Sequence, residues 1–226
     1  MIKTINVAGI ELDNYTVRET IMSVEKEMSD NAFHTIEEVN MDTLMMAGTD
    51  SVIREALETV EHTVIAEKGI LDAVGAGNYQ RNHEIEHHDF FYEMMKRIER
   101  NRKTLFLIGD TTENTGLMYD RIRELYPKCE ITGTAALEEY RMATDAVVNE
   151  INSLSPDVIL SVLPSPDQEH FLMDNREKLS AGLWYGIGKM ELEKPLGRIA
   201  GGIRNLIRTH KLEKQVNQYS GKQDEG

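Results

Sequence analysis

From residue 104 onward, short apolar segments alternate with amphipathic ones, and few folds accommodate that order. The clearest strand is Thr104–Gly109, where five β-compatible residues end on a glycine. Strand, helix, strand alternation with short links predicts an α/β fold with a Rossmann-like, doubly wound parallel sheet. The predicted strands are 104–109, 130–133, 157–162 and 182–188, and the predicted helices between them are 114–125, 139–153 and 167–178.

The first hundred residues extend the same sheet. Residues 3–12 predict a strand or hairpin with a turn at Gly9, and 34–39 predict a strand that ends at Asn40. We expect one domain over 1–194, because Pro195 and Gly197 interrupt the pattern there. A further strand is predicted at 63–66, helices at 16–29, 41–47, 50–60, 69–75 and 90–101, and a polar loop or helix start at 78–89.

The 226 residues are 40% hydrophobic, enough to bury a substantial core. Cys129 is the single cysteine, which excludes an intrachain disulfide and a thiolate metal cluster and favours a reducing, cytoplasmic setting. The apolar runs are too short for a bilayer span, and the first residues lack the pattern of a signal peptide.

Charge is unevenly distributed along the chain. The formal net charge is −14, but residues 1–188 carry −17 whereas 189–214 carry +4. The acidic body argues against nucleic-acid binding. The basic segment predicts an anionic partner such as a diphosphate or a phospholipid surface, or else a solvated helix face that pairs with acidic neighbours. We therefore expect 195–226 to form a basic helical appendage with a polar tail.

In a parallel sheet, ligands bind beyond the carboxyl ends of the strands. The loop 164–169 enters a helix, whose first N–H groups favour anions and ligand hydroxyls, although Asp167 there could simply cap the helix. Gln168 offers both a donor and an acceptor. The residues predicted at strand ends are Asn40, Glu67, Gly109, Asp110, Thr111, Gly133, Pro164, Gln168 and Gly188.

Two other patterns have competing interpretations. His83 and His87 are four residues apart and would share a helical face, which with a carboxylate could bind zinc in a metal-dependent hydrolase. A hydrophilic loop is the alternative interpretation of that stretch. Methionines at helical spacing, such as Met41 and Met45, are typical of core filling.

Several segments in this order resemble the TagA/CpsF-type bacterial glycosyltransferase family. The resemblance spans about residues 4–190, and its most specific parts are the block TLFLIGDTTENTGLMYDRIRELYP and the loop in DVILSVLPSPDQEHFL. Pro164 to Glu169 looks like the family's Gly-Pro-x-x-Gln-Glu loop. The other segments are INVAGIELDNYTVRETI, VNMDTLMMA and VIREALETVEHTVIAEKGIL.

The resemblance implies inverting transfer of an N-acetylmannosamine-type sugar from a UDP donor to a lipid-diphosphate acceptor, without metal or cofactor. It implies that Glu67 deprotonates the acceptor hydroxyl, Gln168 holds the donor and Asn40 orients sugar hydroxyls. The basic segment would associate with the inner face of the membrane. A homo-oligomer is also expected, since the glycine-interrupted amphipathic helix after 195 needs a partner surface. The candidate appendage arginines are Arg198, Arg204 and Arg208.

This chain also departs from the family pattern. Glu38 stands where the family has threonine, Gly109-Asp110 replaces a Gly-Gly pair, and the aspartate expected after the last strand is missing. The family's Pro-Asp-Gly reads Ala-Glu-Lys-Gly at 66–69, so Glu67 or Lys68 takes the aspartate's place, and a protonated lysine cannot act as a base. A sugar-nucleotide-binding or scaffold protein without activity is therefore the alternative hypothesis.

Overall fold

The computed structural model describes residues 3–30, 32–141, 143–188 and 212–216. An antiparallel hairpin opens the chain, with Ala8 and Gly9 at positive φ in its turn. The strands are β1 (Thr4–Val7), β2 (Ile10–Asp13), β3 (His34–Val39), β4 (His62–Ile65), β5 (Thr104–Gly109), β6 (Glu130–Ala136), β7 (Val158–Ser161) and β8 (Leu183–Gly186).

Helices connect these strands, and several begin at side chains that cap their first N–H groups. Thr16 and Glu19 form a capping box on the first helix, and Asn40 caps the second by accepting from the Thr43 N–H. The helices are α1 (Val17–Glu27), α2 (Met41–Ala47), α3 (Ser51–Thr59), α4 (Lys68–Ala73), α5 (Tyr79–Glu86), α6 (Asp89–Arg100), α7 (Thr112–Leu125), α8 (Thr144–Leu154) and α9 (Asp167–Asn175).

The main sheet confirms the predicted α/β, doubly wound architecture. Its six strands run in the order β4-β3-β8-β7-β5-β6, and all neighbours pair in parallel. Helices α1, α6 and α7 pack on one face, while α8 and α9 pack on the other and α3 packs against α9. The chain leaves β5 toward β6 but leaves β7 toward β8. This reversal places a topological switch point beside the carboxyl ends of the neighbouring strands β5 and β7.

Two predicted boundaries are wrong. Strand β6 continues to Ala136, and the pairing extends further because the Leu137 N–H donates to the Gly109 carbonyl at 2.9 Å. Helix α8 therefore starts at Thr144, after a turn, rather than at 139. The polar stretch 78–89 contains helix α5, which buries only Arg81 and Ile85 and so lacks a clear apolar periodicity.

Gly133 is consequently misplaced in the sequence-based prediction. It lies in the middle of β6, not at the ligand-binding edge. A Cβ atom there would come within 2.7 Å of the Phe106 ring and of Leu154. Gly133 therefore admits a core aromatic ring from β5, and nothing in its position supports a role in substrate binding.

Candidate active site

The carboxyl ends of β3 and β4 bring Asn40 and Glu67 to the same edge of the sheet. Val39 pairs with Ile65, and the Ala66 N–H donates to the Val39 carbonyl at 2.9 Å, so the two chain segments leave the sheet side by side. Glu67 is half-buried and precedes α4 at its N-cap position, without capping that helix by its side chain. The carboxylate of Glu67 and the side-chain amide of Asn40 therefore follow two neighbouring strands.

Lys68, the alternative candidate for the family's base, is engaged elsewhere. Its Nζ atom lies 2.5 Å from Glu86 Oε1 in an exposed ion pair. The hydrogen bond and the charge of Glu86 raise the pKa of Lys68, which keeps the ammonium protonated. Of the two candidates, Glu67 is the one that can accept a proton.

A chain of side-chain hydrogen bonds joins α2 to the loop before α9. Asn40 Oδ1 accepts from the Thr43 N–H at 2.9 Å, and the Thr43 hydroxyl lies 2.8 Å from that of Ser165. The Ser165 hydroxyl donates to Glu169 Oε1 at 2.6 Å, next to the half-exposed Pro164. These contacts hold the predicted sites at Asn40 and Pro164 at one edge of the sheet.

Gln168 also belongs to this edge, but its side chain is only 1% exposed. Its Oε1 accepts from the Gly188 N–H at 3.0 Å, and its Nε2 donates to Glu37 Oε2. Trp184 Nε1 donates to the other oxygen of Glu37 at 3.0 Å. The structure therefore brings Gln168 and Gly188 into direct contact, with Glu37 beneath them. The proposed contact between Gln168 and a sugar donor stays a prediction.

Gly186 makes room for this network, and we expect Gly186→Ala to disrupt it. A Cβ atom at Gly186 would lie 2.3 Å from Glu37 Oε2 and 2.7 Å from Gln168 Nε2. Glu37 and Gln168 must move to accommodate that Cβ atom, so the substitution should lower the free energy of unfolding by about 1–3 kcal/mol, measured by urea denaturation. Gly116→Ala is the matched control, because its Cβ meets nothing within 4 Å and alanine favours a helix. Equal stability of the two variants would contradict the prediction.

Glu38 occupies the opposite face of β3. It is 6% exposed, accepts a hydrogen bond from the Tyr185 hydroxyl, and lines a small cavity with Ala66, Arg81 and His88. Burial raises the pKa of Glu38 to about 7. The Glu38 carboxyl is therefore a buried group that titrates near neutral pH.

Sequence reasoning did not predict that the side chains of Glu37, Glu38 and Glu169 are buried. Burial, with the neighbouring Glu169 carboxyl, raises the pKa of Glu37, and burial also raises the pKa of Glu169. The available signal was the pair Glu37-Glu38 between Ile36 and Val39 in a predicted strand, since acidic side chains are rarely buried without a role.

The Gly109-Asp110-Thr111 turn follows β5 as predicted, and neighbouring side chains pack closely around it. Thr115 Oγ1 and Val162 fill the position that a Cβ of Gly109 would take, at 2.3 and 3.0 Å. The N–H groups of Thr111 and Thr112 donate to the carboxylates of Asp110 at 2.8 Å and Glu138 at 2.6 Å. Carboxylates accept from these donors in the structure, and a role of this turn in holding a phosphate stays a prediction.

One known family matches most of this chain. A model of the glycosyl transferase WecG/TagA/CpsF family matches residues 5–190. The chain belongs to this family. The match confirms the sequence-based resemblance and makes the chain a glycosyltransferase-family protein.

Curated relatives match at low identity. Proteins of Staphylococcus aureus strains NCTC 8325 / PS 47, COL and MRSA252 are each 22% identical over 191 residues, covering 81% of this chain and 72% of the relative. Each is named N-acetylglucosaminyldiphosphoundecaprenol N-acetyl-beta-D-mannosaminyltransferase.

The remaining candidates divide between described and undescribed segments. Arg198, Arg204 and Arg208, with the predicted domain boundary at 194, lie outside the described residues. His83 lies in α5 and His87 is its C-cap residue, and their rings stack with centroids 4.1 Å apart, but the described ranges contain no group of three side chains able to hold a metal ion. Within those ranges no helix is long and apolar enough to cross a membrane.

Proposed function

We propose that this chain transfers an N-acetylmannosamine-type sugar from a UDP-linked donor to a lipid-diphosphate-linked acceptor, with inversion at the anomeric carbon. Glu67 takes the proton from the acceptor hydroxyl as that oxygen attacks the sugar and the bond to UDP breaks. Asn40 orients sugar hydroxyls beside it. The relatives' printed activity, an N-acetylmannosaminyl transfer to a lipid-diphosphate-linked N-acetylglucosamine, supports this substrate class.

The observation that carries the proposal is the position of Glu67. It follows β4 beside Asn40, at the sheet edge that also holds Pro164, Gln168 and Gly188. Ligands of doubly wound sheets bind at this edge, and a carboxylate there can act as a general base. Its neighbour Lys68 is held protonated by Glu86.

The test is a transfer assay on the full chain. UDP-N-acetylmannosamine and a lipid-diphosphate-linked N-acetylglucosamine are supplied, and we expect a disaccharide lipid of inverted anomeric configuration, with one UDP released per transfer. UDP-N-acetylglucosamine and UDP-glucose serve as comparison donors. If UDP-sugars bind but none of them yields product, the transferase proposal fails.

That negative result would favour the second candidate, a protein that binds a sugar nucleotide without turnover. The observation in its favour is Glu38, which puts a buried carboxyl where the family has threonine.

We further propose that the protein works in the cytoplasm and that the basic segment 189–214 contacts the inner face of the membrane. Its net charge of +4, against −17 for residues 1–188, supports attraction to anionic lipid. We also propose that the protein forms a homo-oligomer.

A further inference from the structure

The buried carboxamide of Gln168 has two hydrogen-bonding neighbours that differ in kind. On one side stands the N–H of Gly188, which can only donate. On the other side stands Oε2 of Glu37. A carboxamide carries one acceptor and one donor group, so the Gly188 N–H requires that Oε1 face it and that Nε2 face Glu37. The orientation of this amide is therefore fixed by its neighbours.

Glu37 in turn receives donors at both of its oxygens. Trp184 Nε1 donates to Oε1 at 3.0 Å, and Gln168 Nε2 donates to Oε2. With donors at both oxygens Glu37 accepts as a carboxylate, and these two hydrogen bonds oppose the rise in its pKa that burial causes, whereas an amide of the same shape accepts at only one oxygen. Because Glu37 is 1% exposed, solvent cannot supply a substitute partner.

Gly188 lies where the chain leaves the sheet. It adopts a positive φ of 61°, two residues after β8 ends, and a Cβ atom built on it would lie 3.9 Å from Asn40 Nδ2. The hydrogen bond that its N–H donates to Gln168 fixes the amide of this turn at the edge where we place the substrates.

We infer that Glu37 is a positioning residue for this site: by accepting from both Trp184 and Gln168, it sets the orientation of the Gln168 amide and thereby holds the Gly188 turn in place. As a role in transfer, the inference rests on the proposed function. The effect of Glu37 on the Gly188 turn can be tested without an activity assay.

The test exchanges the carboxylate at position 37 and the amide at position 168. In Glu37→Gln, the new amide accepts from Trp184 and turns its NH₂ group toward the NH₂ group of Gln168. The Gln168 amide must then flip or separate, and Gly188 loses its acceptor. In the double variant Glu37→Gln/Gln168→Glu, the amide at position 37 again accepts from Trp184. It donates to the new carboxylate at position 168, which accepts from Gly188, so the swap restores every hydrogen bond of the network.

The first measurement is hydrogen exchange at the Gly188 amide, followed by NMR. We expect Glu37→Gln to accelerate exchange about tenfold or more and the swap to restore protection. Gln168→Glu alone should also accelerate it, because two carboxylates would face each other. Glu55→Gln, an exposed glutamate on α3, is the control and should leave exchange unchanged.

The second measurement is the donor kcat/KM, which should fall about tenfold in Glu37→Gln. Unchanged exchange in Glu37→Gln, or a swap that fails to restore protection, would overturn the inference. If no variant transfers sugar but the exchange pattern holds, the proposed function fails and the positioning of Gly188 stands.

Discussion

Glu67→Gln is expected to lower kcat by about 10²–10⁴-fold, the usual contribution of a general base. Glutamine keeps the shape of the side chain at the end of β4, but its amide cannot take a proton from the acceptor hydroxyl. The donor KM should change little, because the base acts on the acceptor. The measurement is initial-rate kinetics of sugar transfer, with UDP binding determined separately by calorimetry.

Lys68→Gln is the matched control for this variant. It changes the adjacent residue and removes the ion pair with Glu86, which is exposed and contributes little. We expect its kcat to stay within about twofold of the wild type, since the pair is at a solvated surface. A Glu67→Gln protein that transfers sugar at the wild-type rate would show that another group accepts the proton.

Glu38→Gln is expected to stabilise the protein above neutral pH. The folded-state pKa of about 7 exceeds the ordinary value of 4.5, so the folded protein binds more protons than the unfolded chain between these values. Stability therefore decreases as the pH rises from about 4.5 to about 7, and the full cost remains above that window. The difference corresponds to about 3 kcal/mol.

Glutamine at position 38 removes the charge while keeping an acceptor for the Tyr185 hydroxyl. At pH 8 the free energy of unfolding should exceed that of the wild type by up to about 3 kcal/mol, and the gain should vanish toward pH 4.5. Chemical denaturation across this pH range measures it, with Glu55→Gln as an exposed control. A gain that is equal at both pH values would contradict the titration of Glu38.

The stability that the ionised Glu38 carboxyl costs is consistent with a position near a functional site. Residues that serve a site are often retained at the expense of stability. The stabilised Glu38→Gln protein can then be assayed for transfer, which tests directly whether the carboxyl that replaces the family's threonine affects activity.

The sequence predicted the fold class and most elements because strand and helix periodicities are local properties. Thr104–Gly109 illustrates this, since an apolar run that ends on a glycine can be identified without tertiary contacts. Helix α5 was harder to identify because its inward face carries Arg81 along with Ile85. The end of β6 was missed because pairing with β5 extends the strand beyond its local signal.

By itself, the sequence determined that a parallel sheet would bring Asn40, Glu67 and Gln168 to one edge, because parallel strands end on the same side. Only the tertiary structure decided which groups face one another there. It engaged Lys68 with Glu86, filled the space at Gly109 with Thr115, and placed Glu37 beneath Gln168. These outcomes depend on contacts between residues far apart in the chain, and local periodicity carries no record of such contacts.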